Sequence, residues 1–368
     1  MEEIPEESDL VQSGNNSIEV EIVSDEEFQI LDEALQNAMM QIAQEETKSI
    51  EHREDIDCSS IKEALTPLEK FKGGRGYLSV SDLTAQFWCE QQMEYAFTAP
   101  ELKQESEPMR MGKLIHLERE QELYDLVEIK VESKEDKWAT KFLDCLCKIA
   151  LLEAKQTVRE LPVFGWPFNM GVFVYGIIDE VHFNEMGQLE LLELKTRTRK
   201  SLPSKAQQRQ ASLQAMIYSI MFNDLLLGKA DPSVLLSQLQ LNGDAILSKD
   251  VSQYARDCGV QCDRLIQITN LLIRRFQQSD IPKLNSIAVE YCMQETCQVI
   301  GRTSMDLDKE WTQSQLIKML PYWRGERETV GVEIEEAWKC SRCDFADICE
   351  WRVKKDKEYR TKSDARKL

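Results

Sequence analysis

The sequence predicts an α/β domain on three observations: a pair of apolar strands joined by a tight turn, strand-like runs on either side of it, and long helical periodicities between them. The pair is GVFVYGIIDEVHFNEMGQLELLELK, residues 171–195, with a turn at Asn184-Glu185-Met186-Gly187 and Gly187 supplying positive φ. Strand side chains alternate, so Glu193 and Lys195 share a side with Leu189 and Leu191, while Leu192 and Leu194 line the other. Apolar residues on both sides mark a central, covered strand. The hairpin brings Asp179, at the end of its first strand, close to Glu193 and Lys195. Desolvating two carboxylates and an ammonium is costly, and a divalent metal between the carboxylates would compensate them. Glu-x-Lys also occurs on solvated strands. What distinguishes this one is Gly176-x2-Asp179 in the strand before it.

Residues 1–60 hold 18 acidic and 2 basic residues, or −16 of the net −20. With few aromatics and no sustained core pattern, they are expected to be a disordered acidic tail. Two local patterns interrupt it. Ile18, Val20 and Ile22 alternate as in a short strand that adds to a partner's sheet edge. Ser24 with Glu27 makes a capping box for a helix carrying Phe28, Leu31, Leu35, Ala38, Met39 and Ile42. Two readings stand for residues 18–42: an idle solvated tail, or an acidic amphipathic helix that docks on a partner's basic cleft.

Residues 61–368 are expected to form one domain. Tyr77, Leu78 and Val80 are extended, and Ser81 or Asp82 caps a helix carrying Trp88 and Cys89. Residues 112–124 read as a helix with His116 and Glu120 one turn apart. A helix over 138–155 and a strand over 158–164 lead into the hairpin. Beyond it, a helix over 204–227 puts Gln214 and Tyr218 one turn apart, a pair that packing alone would explain. Helical periodicity continues over 251–276. Strands are expected over 287–292 and 298–305, then a helix over 309–322.

The charge of the body is uneven. Residues 194–223 contain six basic residues (Lys195, Arg197, Arg199, Lys200, Lys205 and Arg209) and no acid. They begin at the expected metal site and run outward, as a phosphate-binding track would. The last seventeen residues, 352–368, are also basic, with eight basic against three acidic. A pI near 4.8 thus conceals cationic surfaces.

Eleven cysteines without a secretory signal point to a reducing compartment, and no apolar run is long enough to span a membrane. The N-terminus is too acid-rich for a mitochondrial transit peptide, so nucleus or cytosol is expected. Cys340, Cys343 and Cys349 form C-x2-C-x5-C between Trp338 and Trp351, the spacing of three thiolates on one metal centre. A fourth ligand must come from Cys58, Cys89, Cys145, Cys147, Cys258, Cys262, Cys292 or Cys297, and spacing does not choose among them. Zinc and iron–sulfur both remain open on this chemistry. No G-x4-G-K-[ST] loop occurs, so the chain carries no P-loop motor of its own.

In order, Gly112-x3-His116, Gly176-x2-Asp179, Glu193-x-Lys195 and Gln214-x3-Tyr218 resemble the motifs of the RecB-type branch of the PD-(D/E)xK nucleases. The stretches SVSDLTAQFWCEQQ, GIIDEVHF, LELLELKTRTR and EEAWKCSRCDFADICEWR resemble the exonuclease V family, and the likeness runs from about residue 61 to 352. The resemblance implies a restriction-endonuclease-like mixed sheet flanked by helices, with its N- and C-terminal parts joined by a four-cysteine iron–sulfur cluster. It implies a monomeric, single-strand-specific DNA exonuclease acting in DNA repair in the nucleus. His116, Asp179 and Glu193 would bind Mg²⁺ or Mn²⁺, Lys195 would be catalytic, and Gln214, Tyr218, Arg197 and Arg199 would support the site and DNA. Cys89, Cys340, Cys343 and Cys349 would hold a 4Fe–4S cluster. A single-strand-binding protein is one partner that residues 18–42 would suit. Ile178 stands where the superfamily's name has proline, which its RecB-type branch commonly lacks. A zinc-stabilised nucleic-acid adaptor and the nuclease subunit of a helicase machine are the competing expectations.

Overall fold

The computed structural model describes residues 19–21, 65–103 and 106–365. Strands β1 (Glu19–Glu21) and β3 (Asp125–Glu128) form a separate parallel pair within the chain. The helix expected over 28–42 lies outside the described residues.

The domain is built on one six-stranded mixed sheet ordered β2-β5-β6-β7-β8, with β4 also paired to β5. Its strands are β2 (Leu78–Ser79), β4 (Val158–Gly165), β5 (Val174–Phe183), β6 (Leu189–Arg197), β7 (Ser286–Met293) and β8 (Val299–Asp306). Strand β6 is central, antiparallel to β5 and parallel to β7, and Leu189 through Leu194 are all buried. The turn between β5 and β6 closes on Asn184, whose side-chain oxygen accepts from the Met186 and Gln188 amides, and Gly187 adopts φ 72°.

The helices are α1 (Pro67–Lys72), α2 (Val80–Trp88), α3 (Glu90–Thr98), α4 (Glu107–Gln121), α5 (Lys134–Glu153), α6 (Lys205–Leu226), α7 (Pro232–Gln238), α8 (Lys249–Asp257), α9 (Leu265–Gln278), α10 (Lys309–Trp323) and α11 (Glu350–Ala365). Helix α6 begins at a capping box between Ser204 and Gln207 and is buried along most of its length, as a helix packed on several sides must be. Leu213, Ile217 and Met221 of α6 join Phe142 and Ile149 of α5 and Ile178, Val181 and Leu191 of the sheet in the main core. Each such side chain contributes about 1.5–3 kcal/mol by leaving water. A small second cluster, Ile115, Leu194 and Cys292, holds α4 to the other side of β6.

Several boundaries differ from the sequence expectation: α4 starts at Glu107 and ends at Gln121 rather than spanning 112–124, and Val80, expected to be extended, opens α2. Ser79, not Ser81 or Asp82, caps α2: its hydroxyl accepts from the Asp82 amide while Asp82 accepts from the Ser79 amide. Cys89 is not helical; with φ −164° and ψ 110° it is the extended break between α2 and α3. The periodicity over 251–276 divides into α8 and α9, because Gly259 turns into the left-handed region (φ 74°) and ends the first helix.

Candidate active site

The β5–β6 ladder pairs Phe183 with Leu189 and continues to Glu180 opposite Leu192. One position further the two strands part. There the Asp179 side chain substitutes for main chain, its Oδ2 accepting from the Leu194 amide at 2.7 Å. Further along β5, β2 pairs with Val174 and Tyr175, while β4 stays paired along residues 174–181. Asp179 and Glu193 therefore lie mid-strand rather than at strand ends, at the point where the sheet opens.

The glycines of the two motifs are explained by close approach. A Cβ on Gly176 would lie 2.4 Å from Tyr218 Cε1 and 2.8 Å from Val80 Cγ2, so only glycine lets the tyrosine ring rest on β5. A Cβ on Gly112 would lie 3.0 Å from Thr196 Oγ1, which is how closely α4 meets β6. One turn beyond Gly112, His116 reaches the opening.

His116, Glu160 and Asp179 each offer a ligand atom, and these lie within 4.8 Å of one another. His116 Nδ1 is 3.6 Å from Asp179 Oδ1 and 3.7 Å from Glu160 Oε1. Glu160 was not among the sequence candidates. It sits on β4 between the pairs Arg159–Glu180 and Leu161–Ile178, hence across from Asp179, with a left-handed backbone (φ 50°). Non-glycine residues keep that conformation where surrounding structure enforces it, often at functional sites. The buried ammonium of Lys148 donates to the Glu160 carbonyl at 2.9 Å. A lone acid in the strand VRELPVFG was the available signal, but which strand lies beside β5 is not written in local sequence.

Glu193 stands outside that triad. It is 1% exposed, its Oε1 is ion-paired with Lys195 Nζ at 2.7 Å, and its Oε2 has no hydrogen-bond partner. Lys195 donates to Gln214 Oε1 at 2.9 Å, and Gln214 Nε2 donates to the Tyr218 hydroxyl at 3.1 Å. The i, i+4 pair on α6 thus orients the lysine. Two further buried polar atoms without partners lie nearby: Arg197 Nε and the hydroxyl of Tyr291, which pairs with Lys195 across the β6–β7 ladder. Buried polar atoms of this kind are ones a bound ion or phosphate could engage.

The electrostatics follow from burial and crowding. Burial, with the Asp179 charge beside it, pushes the Glu193 carboxyl up to about 7. Burial also raises Asp179, against the opposing pull of His116 and Lys195. Burial alone would lower His116, but Asp179, Glu160 and Glu193 outweigh it and hold the imidazole up at about 9. Acidic groups this crowded are poised to exchange protons for a cation. Beyond them, Arg199 and Lys200 are exposed on the loop after β6, and Arg209 lies 5.8 Å from the Phe87 ring centre.

A second site lies where the C-terminal segment meets α2 and α3. Cys89, Cys340, Cys343 and Cys349 line one small cavity, together with Tyr95, Gly331 and Trp351. The four thiols are free, and burial, with the other three sulfurs nearby, pushes Cys89 up to about 11. Among the described residues, no three of these sulfurs lie within 4.8 Å of one another. A single zinc with bonds of about 2.3 Å would hold its sulfurs under 4 Å apart. The chain around the cavity is tied across its length: Arg327 pairs with Glu90, Trp323 Nε1 donates to Gln86 at 2.8 Å, and Lys339 donates to the Trp88 carbonyl at 3.0 Å.

A family described as "Exonuclease V – a 5' deoxyribonuclease" matches residues 66–190, 184–261 and 252–352. An exonuclease V from Danio rerio is 37% identical over 292 residues, covering 78% of this chain and 73% of the relative. Among solved structures, one titled "Crystal structure of SSO0001" aligns over 79% of this chain and 89% of its own at 12% identity, with a TM-score of 0.36. On the sequence match, which spans both clusters just described, this chain belongs to the exonuclease V family.

Proposed function

We propose that the protein is a metal-dependent exonuclease that degrades single-stranded DNA from a 5' end. The observation that carries this reading is the convergence of His116, Glu160 and Asp179 beside a buried Glu193 that is ion-paired with Lys195. The family's description as a 5' deoxyribonuclease supports the polarity.

Asp179, Glu193 and Glu160 offer hard oxygens suited to Mg²⁺, and His116 adds a nitrogen that also suits Mn²⁺. Such a cation supplies Lewis acidity to the scissile phosphate and lowers the pKa of a water. Around it the chain's own groups do the positioning. The Leu194 amide fixes Asp179, and Gln214, braced by Tyr218, aims the Lys195 ammonium at the opening. There Lys195 neutralises charge growing on the phosphate oxygens. Arg197, Arg199 and Lys200 hold phosphates leading away from the cut.

Cys89, Cys340, Cys343 and Cys349 are assigned to a 4Fe–4S cluster with a structural role. Four thiols from the α2–α3 break and the C-terminal segment lining one cavity support this reading. Residues 61–368 then act as one restriction-endonuclease-like domain clasped by that cluster. The acidic segment before it, from residue 18 to 42, is assigned to partner docking, and the cellular role to DNA repair in the nucleus.

The test is Mg²⁺-dependent digestion of 5'-labelled, 3'-labelled and circular single strands. Release of label from 5' ends with circles left intact is the expected result. Cleavage of circles would refute the exonuclease reading. Activity retained by Asp179→Asn or Lys195→Ala would refute the site.

A further inference from the structure

Behind the triad lies a second set of charges, made from its sequence neighbours. Glu180 follows Asp179, and strand alternation turns it away from the opening. Its Oε2 accepts from Arg119 Nη2 and from Arg159 Nε, both at 2.9 Å. Arg159 precedes Glu160, and Arg119 lies one helical turn after His116 on α4. Arg159 Nη1 also donates to the Arg119 carbonyl and to Glu122 Oε2, the latter at 2.8 Å. One carboxylate thus grips the immediate neighbour of Glu160 and the helix that carries His116, while being itself the neighbour of Asp179. His182 Nδ1 lies 3.2 Å from Glu180 Oε1, and His182 Nε2 lies 3.5 Å from Glu190, which pairs with Arg302.

Helix α4 needs this grip. Ile115 is its one buried residue among the fifteen, so apolar packing barely holds it to the sheet. We infer that Glu180 is a positioning residue: through Arg119 and Arg159 it sets the spacing of His116, Glu160 and Asp179, and so the affinity of the site for a divalent cation. This rests on the metal-dependent reading above.

The experiment titrates Mn²⁺ alone into full-length, cluster-loaded protein, followed by electron paramagnetic resonance, and adds hydrogen exchange of the α4 amides. Glu180→Gln should weaken Mn²⁺ binding about tenfold, the scale of losing a group that orients a metal ligand. Its α4 amides should exchange faster, its kcat should recover at saturating Mn²⁺, and its KM for DNA should stay unchanged. Arg302→Gln breaks an ion pair on the far side of His182 and should leave Mn²⁺ affinity unaltered. If Glu180→Gln fails to fold, Arg119→Gln removes one arm of the grip and should weaken Mn²⁺ binding severalfold. Wild-type affinity in Glu180→Gln, with Asp179→Asn losing the ion, would overturn the positioning role and leave the nuclease reading standing. A wild-type protein that binds no Mn²⁺ would overturn both.

Discussion

Asp179 accepts the Leu194 amide at 2.7 Å, so a carboxylate of the candidate site also completes the sheet where the β5 and β6 backbones separate. Its charge and its hydrogen bond are separable. Asp179→Asn keeps an acceptor for the amide and loses the charge, so cleavage should fall by at least about a thousandfold with the fold intact. Asp179→Ala also leaves a buried amide unpaired and should melt below Asp179→Asn by about 1–3 kcal/mol. Calorimetry of the two variants beside wild type checks the difference.

Glu193 gives a dependence on pH whose sign is fixed. Its folded pKa, about 7 against an ordinary 4.5, is raised. The folded state therefore holds the proton more tightly, and the stability this provides is present below pH 4.5 and lost as pH rises through 7. In EDTA, Glu193→Gln should match wild type near pH 5 and exceed it by about 2 kcal/mol at pH 8. Adding Mn²⁺ should stabilise wild type and not the variant. Urea denaturation across this range, with and without Mn²⁺, measures both.

Gly176 has no room for a methyl group. Gly176→Ala should cost about 2–3 kcal/mol, because Tyr218 and Val80 must both retreat. The displaced ring would release Gln214 and then Lys195, so kcat should drop further than stability alone explains. Pairing the change with Tyr218→Leu should recover melting temperature without recovering kcat.

For the second site, the expected outcome is colour. Purified protein should be brown, with visible absorption from thiolate-to-iron charge transfer, and Cys343→Ser or Cys89→Ser should lose both the absorption and the iron. Removing the cluster should lower the cooperative melting transition, because one tie between α2–α3 and the C-terminal segment is gone. A colourless protein holding one zinc would contradict the assignment.

Glu180 offers the opposite pH sign to Glu193. Burial would raise its carboxyl, but His182, Arg159 and Arg119 override that and hold it down at about 2. Its contribution is fully present above pH 4.5 and lost as pH falls through 2. Wild type should therefore exceed Glu180→Gln by roughly 2 kcal/mol at neutral pH after solvent screening. The gap should close in acid, as chemical denaturation at pH 7 and pH 2 would measure.

The hairpin, its glycine turn and the pairing of Glu193 with Lys195 were legible because period-two alternation and turn chemistry are local. Gln214 and Tyr218 were legible as neighbours on one helix face, and their link to Lys195 emerged only when α6 packed on β6. Glu160 was hidden for a different reason. Nothing in its own segment says that β4 lies beside β5, and its carbonyl is bonded by Lys148, twelve residues away. Spacing left the fourth cysteine open among eight and only the family resemblance named Cys89; in the fold Cys89, at the break between two helices, lines one cavity with the other three. The cap of α2 was misjudged by two residues because Ser79, Ser81 and Asp82 compete, and the reciprocal pair with Asp82 decides it.

Because α4 is fastened by charges more than by buried carbon, dissolved ions reach this enzyme at two depths. At 1 M salt the screening length shrinks to about 3 Å, which weakens exposed charges most and partly buried pairs such as Arg119–Glu180 least. Concentrated KCl should then weaken DNA binding through the exposed Arg199 and Lys200 well before it loosens the helix bearing His116. DNA occupancy would fall more steeply with salt than Mn²⁺ affinity does.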